Sequence, residues 1–163
     1  MTDTYDIRLI CVGRIKEPFF REGLDFYSQK IRSCGRFEIV ECADEATPDS
    51  ASAAEEEKIR QKEGERILRK IRGGSYVIAL CIDGDHHGTE EWKRMIRSQA
   101  GTKGGRLDLI IGGSLGLSQA VIRKADKKLS FSGLTFPHQM MRVILAEQVY
   151  RSFKILRGEA YHK

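Results

Sequence analysis

Five short apolar runs, each followed by a segment with apolar residues at helical spacing, set the tightest limit on how this chain can fold. The runs are Tyr5–Val12, the stretch holding Phe37, Ile39 and Val40, residues 75–82, Leu107–Ile111, and a weaker run over 129–134. After the first, Pro18 opens a segment with Phe19, Phe20, Leu24, Tyr27 and Ile31 on a helical repeat. Residues 55–72 predict a long charged helix stopped by Gly73 and Gly74. Thr89 is placed to cap a helix reaching about Gln99, and Ser118 one reaching about Lys128. Pro137 opens a last helix to about Leu156, closed by Gly158. Strand and helix thus alternate throughout, which predicts an α/β layer fold with a mostly parallel sheet flanked by helices. No repeat, low-complexity tract or linker divides the sequence, so residues 1–163 are expected to form one domain.

Composition narrows the class. Hydrophobic residues at 40% and charged residues at 31% are the balance of a soluble globular protein. No apolar run is long enough to span a membrane, and the polar start through Asp6 lacks the layout of a secretory signal. A cytoplasmic location with no membrane partner is expected. Cys11, Cys34, Cys42 and Cys81 are widely spaced with no C-x-x-C pair, which predicts reduced, buried thiols. The adjacent pair His86-His87 cannot share a helix face and reads as loop, so no metal site is expected. The net charge of +5 is unevenly placed: residues 36–72 hold 8 basic against 10 acidic side chains. From His138 onward, Arg142, Arg151, Lys154, Arg157 and Lys163 face only Glu147 and Glu159, and Arg123, Lys124, Lys127 and Lys128 precede them. Positive charge gathered in the last third suits a polyanionic partner, although a solvated basic face would look the same.

Open parallel sheets bind ligands beyond the carboxyl ends of their strands. Three expected strand ends carry suitable loops: Ile82-Asp83-Gly84, Ile111-Gly112-Gly113-Ser114-Leu115-Gly116, and Phe131-Ser132-Gly133-Leu134-Thr135-Phe136. In the second, glycines let backbone groups approach a ligand, and a helix follows whose first amides are expected to face the crevice. Its G-G-x-x-G spacing is neither the dinucleotide fingerprint nor a P-loop. Ser130 and Phe131, about 20 residues on, supply no carboxylate for a ribose, so a dinucleotide enzyme is disfavoured. In the last helix Met141, Ile144, Leu145 and Val149 form an apolar stripe, with His138, Arg142 and Glu147 on other faces. On residues alone, a capping histidine beside a solvated ion pair accounts for these three as well as a catalytic role does.

The segments 111–118 and 129–138, with Arg142, the run Glu147-Gln148-Val149-Tyr150-Arg151, Gly158 and the terminal Tyr161-His162, closely resemble the RlmH family. These are bacterial methyltransferases that modify N3 of a pseudouridine in 23S large-subunit ribosomal RNA. The resemblance spans essentially the whole chain and is most specific from Leu107 onward. It implies a SPOUT-class α/β fold with a deep C-terminal trefoil knot, which no pattern of periodicity could suggest. It also implies a homodimer, with the apolar stripe of the last helix contributing to its interface. S-adenosyl-L-methionine would be cradled by Leu80, by Gly112, Gly113 and Gly116, and by Phe131, Ser132, Gly133, Leu134, Thr135 and Phe136. The partner would be the ribosome, because the chain shows no separate RNA-binding domain.

The resemblance further implies roles for the terminal third. N3 of pseudouridine attacks well only as its imide proton leaves, so a base is needed, and His162 is the candidate with Tyr161 orienting the target ring. His138 is a second candidate base and an RNA contact, unless Pro137-His138 instead shapes the cofactor loop. Arg142 and Arg151 would hold phosphate or the developing anionic oxygens. The chain departs from the family in extra residues before the first strand and in His86-His87-Gly88. Two rivals remain: a ribosome-binding factor without catalysis, which would need neither the glycine loop nor the terminal Tyr-His, and a nucleotide-dependent enzyme, which would need an acidic ribose partner.

Overall fold

The computed structural model of the chain describes residues 5–102 and 104–161. Five strands, β1 (Tyr5–Val12), β2 (Gly35–Cys42), β3 (Tyr76–His86), β4 (Leu107–Ile111) and β5 (Lys127–Ser130), form one sheet in the order β2-β1-β4-β3-β5. Every neighbouring pair is parallel. Parallel neighbours require crossovers, and α1 (Pro18–Arg32), α2 (Ala53–Lys70), α3 (Thr89–Ala100) and α4 (Gln119–Lys124) supply them. The last helix, α5 (His138–Leu156), follows β5.

Alternation along the strands sorts the core into two layers. On one face Ile7, Leu9, Leu107 and Leu109 meet Leu24 and Ile31 of α1, Trp92 and Ile96 of α3, and Leu145, Val149 and Phe153 of α5. On the other, Ile10, Val12, Val77 and Ile110 meet Ile67 of α2 and Val121 of α4. β4 lies between β1 and β3 with both faces covered, and all five of its residues are buried. The sparse apolar positions of α2 leave only Glu63, Gly64 and Ile67 buried. Its start is fixed by a capping box, in which Glu55 N donates to Ser52 Oγ at 3.2 Å and Ser52 N to Glu55 Oε2 at 2.8 Å.

Several boundaries differ from the sequence expectation, each for a local reason. β3 continues to His86 because the Gly84 backbone lies directly against β5, where an added Cβ would stand 2.7 Å from the Leu129 carbonyl carbon. The pairing shifts register between Leu80 and Asp85 to allow this. α4 stops at Lys124 and β5 begins at Lys127, not near 129, because Asp126 pins the chain to β3. Its N donates to Val77 O at 2.8 Å and its carboxylate accepts from Val77 N at 2.7 Å. Gly88, not Thr89, holds the N-cap position of α3, and its N donates to Glu91 Oε2 at 3.3 Å. No helix of the described residues is long and apolar enough to cross a membrane.

Candidate functional site

The loops leaving β3, β4 and β5 meet the first turn of α5 around a crevice of about 530 Å³. That is the size of a small-molecule site, and it lies at the carboxyl edge of a parallel sheet. Leu80, Gly112, Gly113, Gly116, Phe131, Ser132, Leu134, Thr135 and Phe136 all line it. Gly133 does not; an added Cβ there would meet nothing within 4 Å. Cys81, Leu117 and Met141 add to the wall; Met141 belongs to the apolar stripe of the last helix, whereas nothing in the sequence marked Cys81 or Leu117 for the site. Among the described residues no aspartate, glutamate, lysine or arginine is part of that lining.

The glycine loop is folded tightly on itself. Gly113 and Gly116 form an antiparallel bridge, with Gly116 N donating to Gly113 O at 3.1 Å. Gly116 has φ +80°, and a Cβ on Gly112 would stand 2.9 Å from the Gly116 carbonyl carbon. Side chains at either position would therefore force the loop open. Behind it stands Glu63 of α2, buried, with one carboxylate oxygen accepting from Glu45 N at 3.1 Å. The other oxygen lies 3.3 Å from the Cβ position of Gly113. Burial pushes the Glu63 carboxyl above the usual carboxylate range. Sequence reasoning missed Glu63; the available signal was a charged residue sharing the narrow inward face of α2 with Gly64 and Ile67.

The helix after the loop behaves differently from expectation. α4 has six residues, and its Val121 N donates to Ser118 Oγ at 3.4 Å. Ser118 is itself buried against α2, where a Cβ on Gly64 would come 2.3 Å from its Oγ. That amide is thus satisfied inside the fold, away from the crevice lining. The second loop is held by serines: Ser130 Oγ donates to Ser132 O, and Leu134 N to Ser132 Oγ, each at 3.0 Å. Phe131 packs edge-on against Trp92 with ring centroids 6.2 Å apart, while Leu134 is 69% exposed at the rim.

His138, the first residue of α5, lines the crevice with its Nδ1 buried and unpartnered among the described residues. Burial, and then the Arg142 charge, hold its imidazole below the ordinary histidine value. It is therefore neutral near pH 7. Arg142 lies on the buried face of α5, contrary to the helical-face reading, and is fully enclosed. Its Nη2 donates to Val12 O at 2.7 Å and Gly13 O at 3.0 Å, and its Nη1 to Glu41 Oε2 at 3.1 Å. The arginine ties α5 to the end of β1 and does not line the crevice. Glu147 pairs instead with Arg151, at 2.7 Å.

Arg151 and Tyr161 come together at the other end of α5. The Arg151 guanidinium lies 5.0 Å from the Tyr161 ring centre, and its Nη1 donates to Tyr161 O at 3.3 Å. Tyr161 also packs edge-on against Tyr150, with centroids 5.2 Å apart. Tyr150 follows Met141 of the crevice wall by nine residues, so the helical rise puts about 14 Å between this cluster and the crevice. His162 lies outside the described residues. All four cysteines are free; Cys11 and Cys42 are buried, Cys34 and Cys81 half-buried. Burial pushes the Cys11 thiol up to about 12. Among the described residues no group of acidic, histidine or cysteine side chains is placed to hold a metal ion.

An all-parallel sheet with a glycine-lined crevice at its carboxyl edge defines an α/β protein, with its crevice where sheets of this kind hold small ligands. A family model described as "Predicted SPOUT methyltransferase" matches residues 5–162, and the chain belongs to that family. Two relatives with the name "Ribosomal RNA large subunit methyltransferase H" are similar along their length. That of Carboxydothermus hydrogenoformans is 48% identical over 158 residues, covering 97% of this chain and 99% of the relative. That of Bacillus pumilus is 46% identical over the same length, with the same coverage. A solved structure, "a probable methylase family protein from Haemophilus influenzae Rd KW20", shares the fold with a TM-score of 0.53 at 12% identity, over 96% of this chain and 70% of that one.

Proposed function

We propose that this protein is a single-domain, cytoplasmic enzyme that methylates N3 of a pseudouridine in 23S ribosomal RNA, on the assembled ribosome, using S-adenosyl-L-methionine. The crevice carries this reading, because its chemistry suits that cofactor. Its apolar walls fit an adenine ring and thioether chain, and the Gly112–Gly116 turn presents backbone without a Cβ at Gly112, Gly113 and Gly116. Bound there, S-adenosylmethionine supplies a methyl group activated on a sulfonium. The SPOUT class also implies that α5 closes a trefoil knot beneath these loops.

The chain's own part is to shape the site and manage one proton. The apolar lining excludes water from the reacting atoms. His162 takes the imide proton, with Tyr161 stacking on the target base and Arg151 orienting Tyr161. His138, neutral and with an unpartnered Nδ1, is the second group able to hold a proton, here at the crevice wall. Arg142 acts as a positioning residue that fixes α5 against β1.

The separation along α5 bears on the assembly. With the Tyr150–Tyr161 cluster about 14 Å along α5 from its own crevice, the tail of one copy serves the crevice of a second, so the working unit is a homodimer. Much of the α5 stripe is buried within its own protomer, at Leu145 and Val149. The surface left for a partner copy includes Phe19 at 61%, Phe26 at 54% and Met140 at 38% exposure.

Methyl transfer from labelled S-adenosylmethionine to ribosomes from cells lacking this protein tests the reading. A methyl on a large-subunit pseudouridine, identified by mass spectrometry, is the expected result. Cofactor binding without transfer to that RNA would overturn the substrate, and absence of cofactor binding would overturn the reading as a whole.

A further inference from the structure

We propose that the opposite edge of the sheet carries a second site, an arginine groove that takes the phosphodiester backbone of RNA. The inference rests on the reading of this chain as an RNA methyltransferase and adds to it where the substrate is gripped. The need follows from the crevice itself, whose lining holds no lysine or arginine among the described residues. A polyanionic substrate must be held by charge somewhere else.

The groove, about 540 Å³, lies where β1, β2 and β4 begin, and five arginines face two carboxylates in it. Both carboxylates are already taken. Glu38 pairs with Arg8 at 2.7 Å, and Asp6 pairs with Arg72, whose guanidinium also meets the buried Asp108 at 2.7 Å. Arg8 and Arg72 are thus built into the fold. Arg32, Arg36 and Arg106 are exposed and have no carboxylate partner among the described residues. Arg32 gives Nε to Phe37 O at 3.3 Å and Arg106 gives Nη1 to Gly73 O at 3.2 Å, while the Arg36 side chain makes no hydrogen bond among the described residues. Each guanidinium carries five N–H donors, so most of every fork remains open.

The bland account explains one of the three. Arg32 ends α1, where a cation is favoured by the helix dipole. Arg36 is on β2 and Arg106 just precedes β4, so that account does not reach them. Three cations around one hollow, uncompensated among the described residues, repel one another, and a chain of phosphates would relieve this. The positive track also continues. Arg157, again without a carboxylate partner among the described residues, reaches Ser33 O at 3.4 Å beside the groove. It caps α5, immediately before the tail bearing Tyr161. A lone phosphate would need no line of four guanidiniums, but a backbone with one charge per nucleotide does. The groove therefore shares an edge with the tail, and in a dimer with tails acting in trans it grips RNA beside the partner's crevice.

Steady-state methylation of ribosomes over a range of salt concentrations, comparing wild type with R32A/R36A/R106A and with R32K/R36K/R106K, tests the groove. The alanine variant should melt near the wild type and keep its kcat and cofactor affinity. Its KM for ribosomes should rise about tenfold or more, with the dependence of log KM on log salt shallower by about 2. The lysine variant should recover most of both. A folded alanine variant with unchanged KM and salt dependence would overturn the groove, as would one that loses kcat or cofactor affinity instead. In cross-linked enzyme–ribosome complexes, peptides bearing Arg36 should carry RNA; adducts to a ribosomal protein only, or none, would also count against it. A wild type that methylates no ribosome at all refutes the underlying function, whereas a methylating wild type with an indifferent variant refutes the groove alone.

Discussion

The two edges of the sheet use opposite chemistry. At the carboxyl edge the crevice is lined mostly by apolar side chains and folded glycine backbone, with no carboxylate, lysine or arginine in its wall among the described residues. At the amino edge the hollow is lined by five arginines, and the tail is laid down by Arg151 and Tyr150. Parallel strands place all their beginnings on one side and all their ends on the other, so one sheet can keep two incompatible environments about a strand's length apart. A dry surface suits transfer from a sulfonium, and a wet, cationic one suits a phosphate chain. The contrast implies that chemistry and grip are divided between the edges and rejoined only when a second copy brings them together.

The division makes the tail the place where the largest effect is expected. Deleting residues 161–163 should reduce turnover by about a hundredfold or more, the usual scale for a lost general base, with cofactor affinity nearly unchanged. Mixing that deletion with a crevice-defective copy should restore part of the activity, because one intact tail can serve one intact crevice. Cofactor affinity lost along with the tail would mean that the two edges are not separate. Next in size is Arg142→Met. It leaves the half-buried Glu41 with Ile15 N and Arg21 as partners but strands the Val12 and Gly13 carbonyls, each unsatisfied acceptor costing about 1–3 kcal/mol. Thermal melting should show a fall of about 10 °C. A variant that melts normally yet loses turnover would place a working charge at the carboxyl edge and end the contrast.

Gly112→Ala probes the same edge through backbone alone. Its Cβ would press on Gly116 at 2.9 Å, an overpacking cost of about 1–3 kcal/mol, read as weaker cofactor binding by about tenfold or more. Isothermal titration measures it directly; unaltered affinity would show that the turn does not shape the site.

What was legible in the sequence was what local forces decide. The Ser118 cap, the Pro18 start, the β4 run and the glycine loop each depend on residues within a few positions of one another. The rest depends on partners far along the chain. β4 enters between β1 and β3, and Arg142 reaches Val12 across 130 residues. The start of β5 is set by Asp126 against Val77, and the wall behind Gly113 by Glu63. The arginine groove gathers residues from positions 8 to 106, whereas the net charge alone pointed to the last third of the chain. The apolar crevice was readable because its loops are contiguous; the cationic one was not, because it exists only after the strands have been ordered.

The smallest effect expected comes from His138, where the two environments can be compared by pH. Its folded value lies below the ordinary 6.5 because burial disfavours the imidazolium. Well above 6.5 the residue is neutral in both folded and unfolded chains and adds no pH dependence. As pH falls through the ordinary value the unfolded chain takes up the proton first, so stability declines until the folded value is reached and stays level below it. Wild type should therefore lose more melting temperature than His138→Gln between about pH 7.5 and about pH 5.5. Nothing comparable is expected at the amino edge, because arginines keep their charge throughout that range. Equal slopes for the two proteins would mean that water reaches Nδ1, and that the carboxyl edge is less dry than its lining suggests.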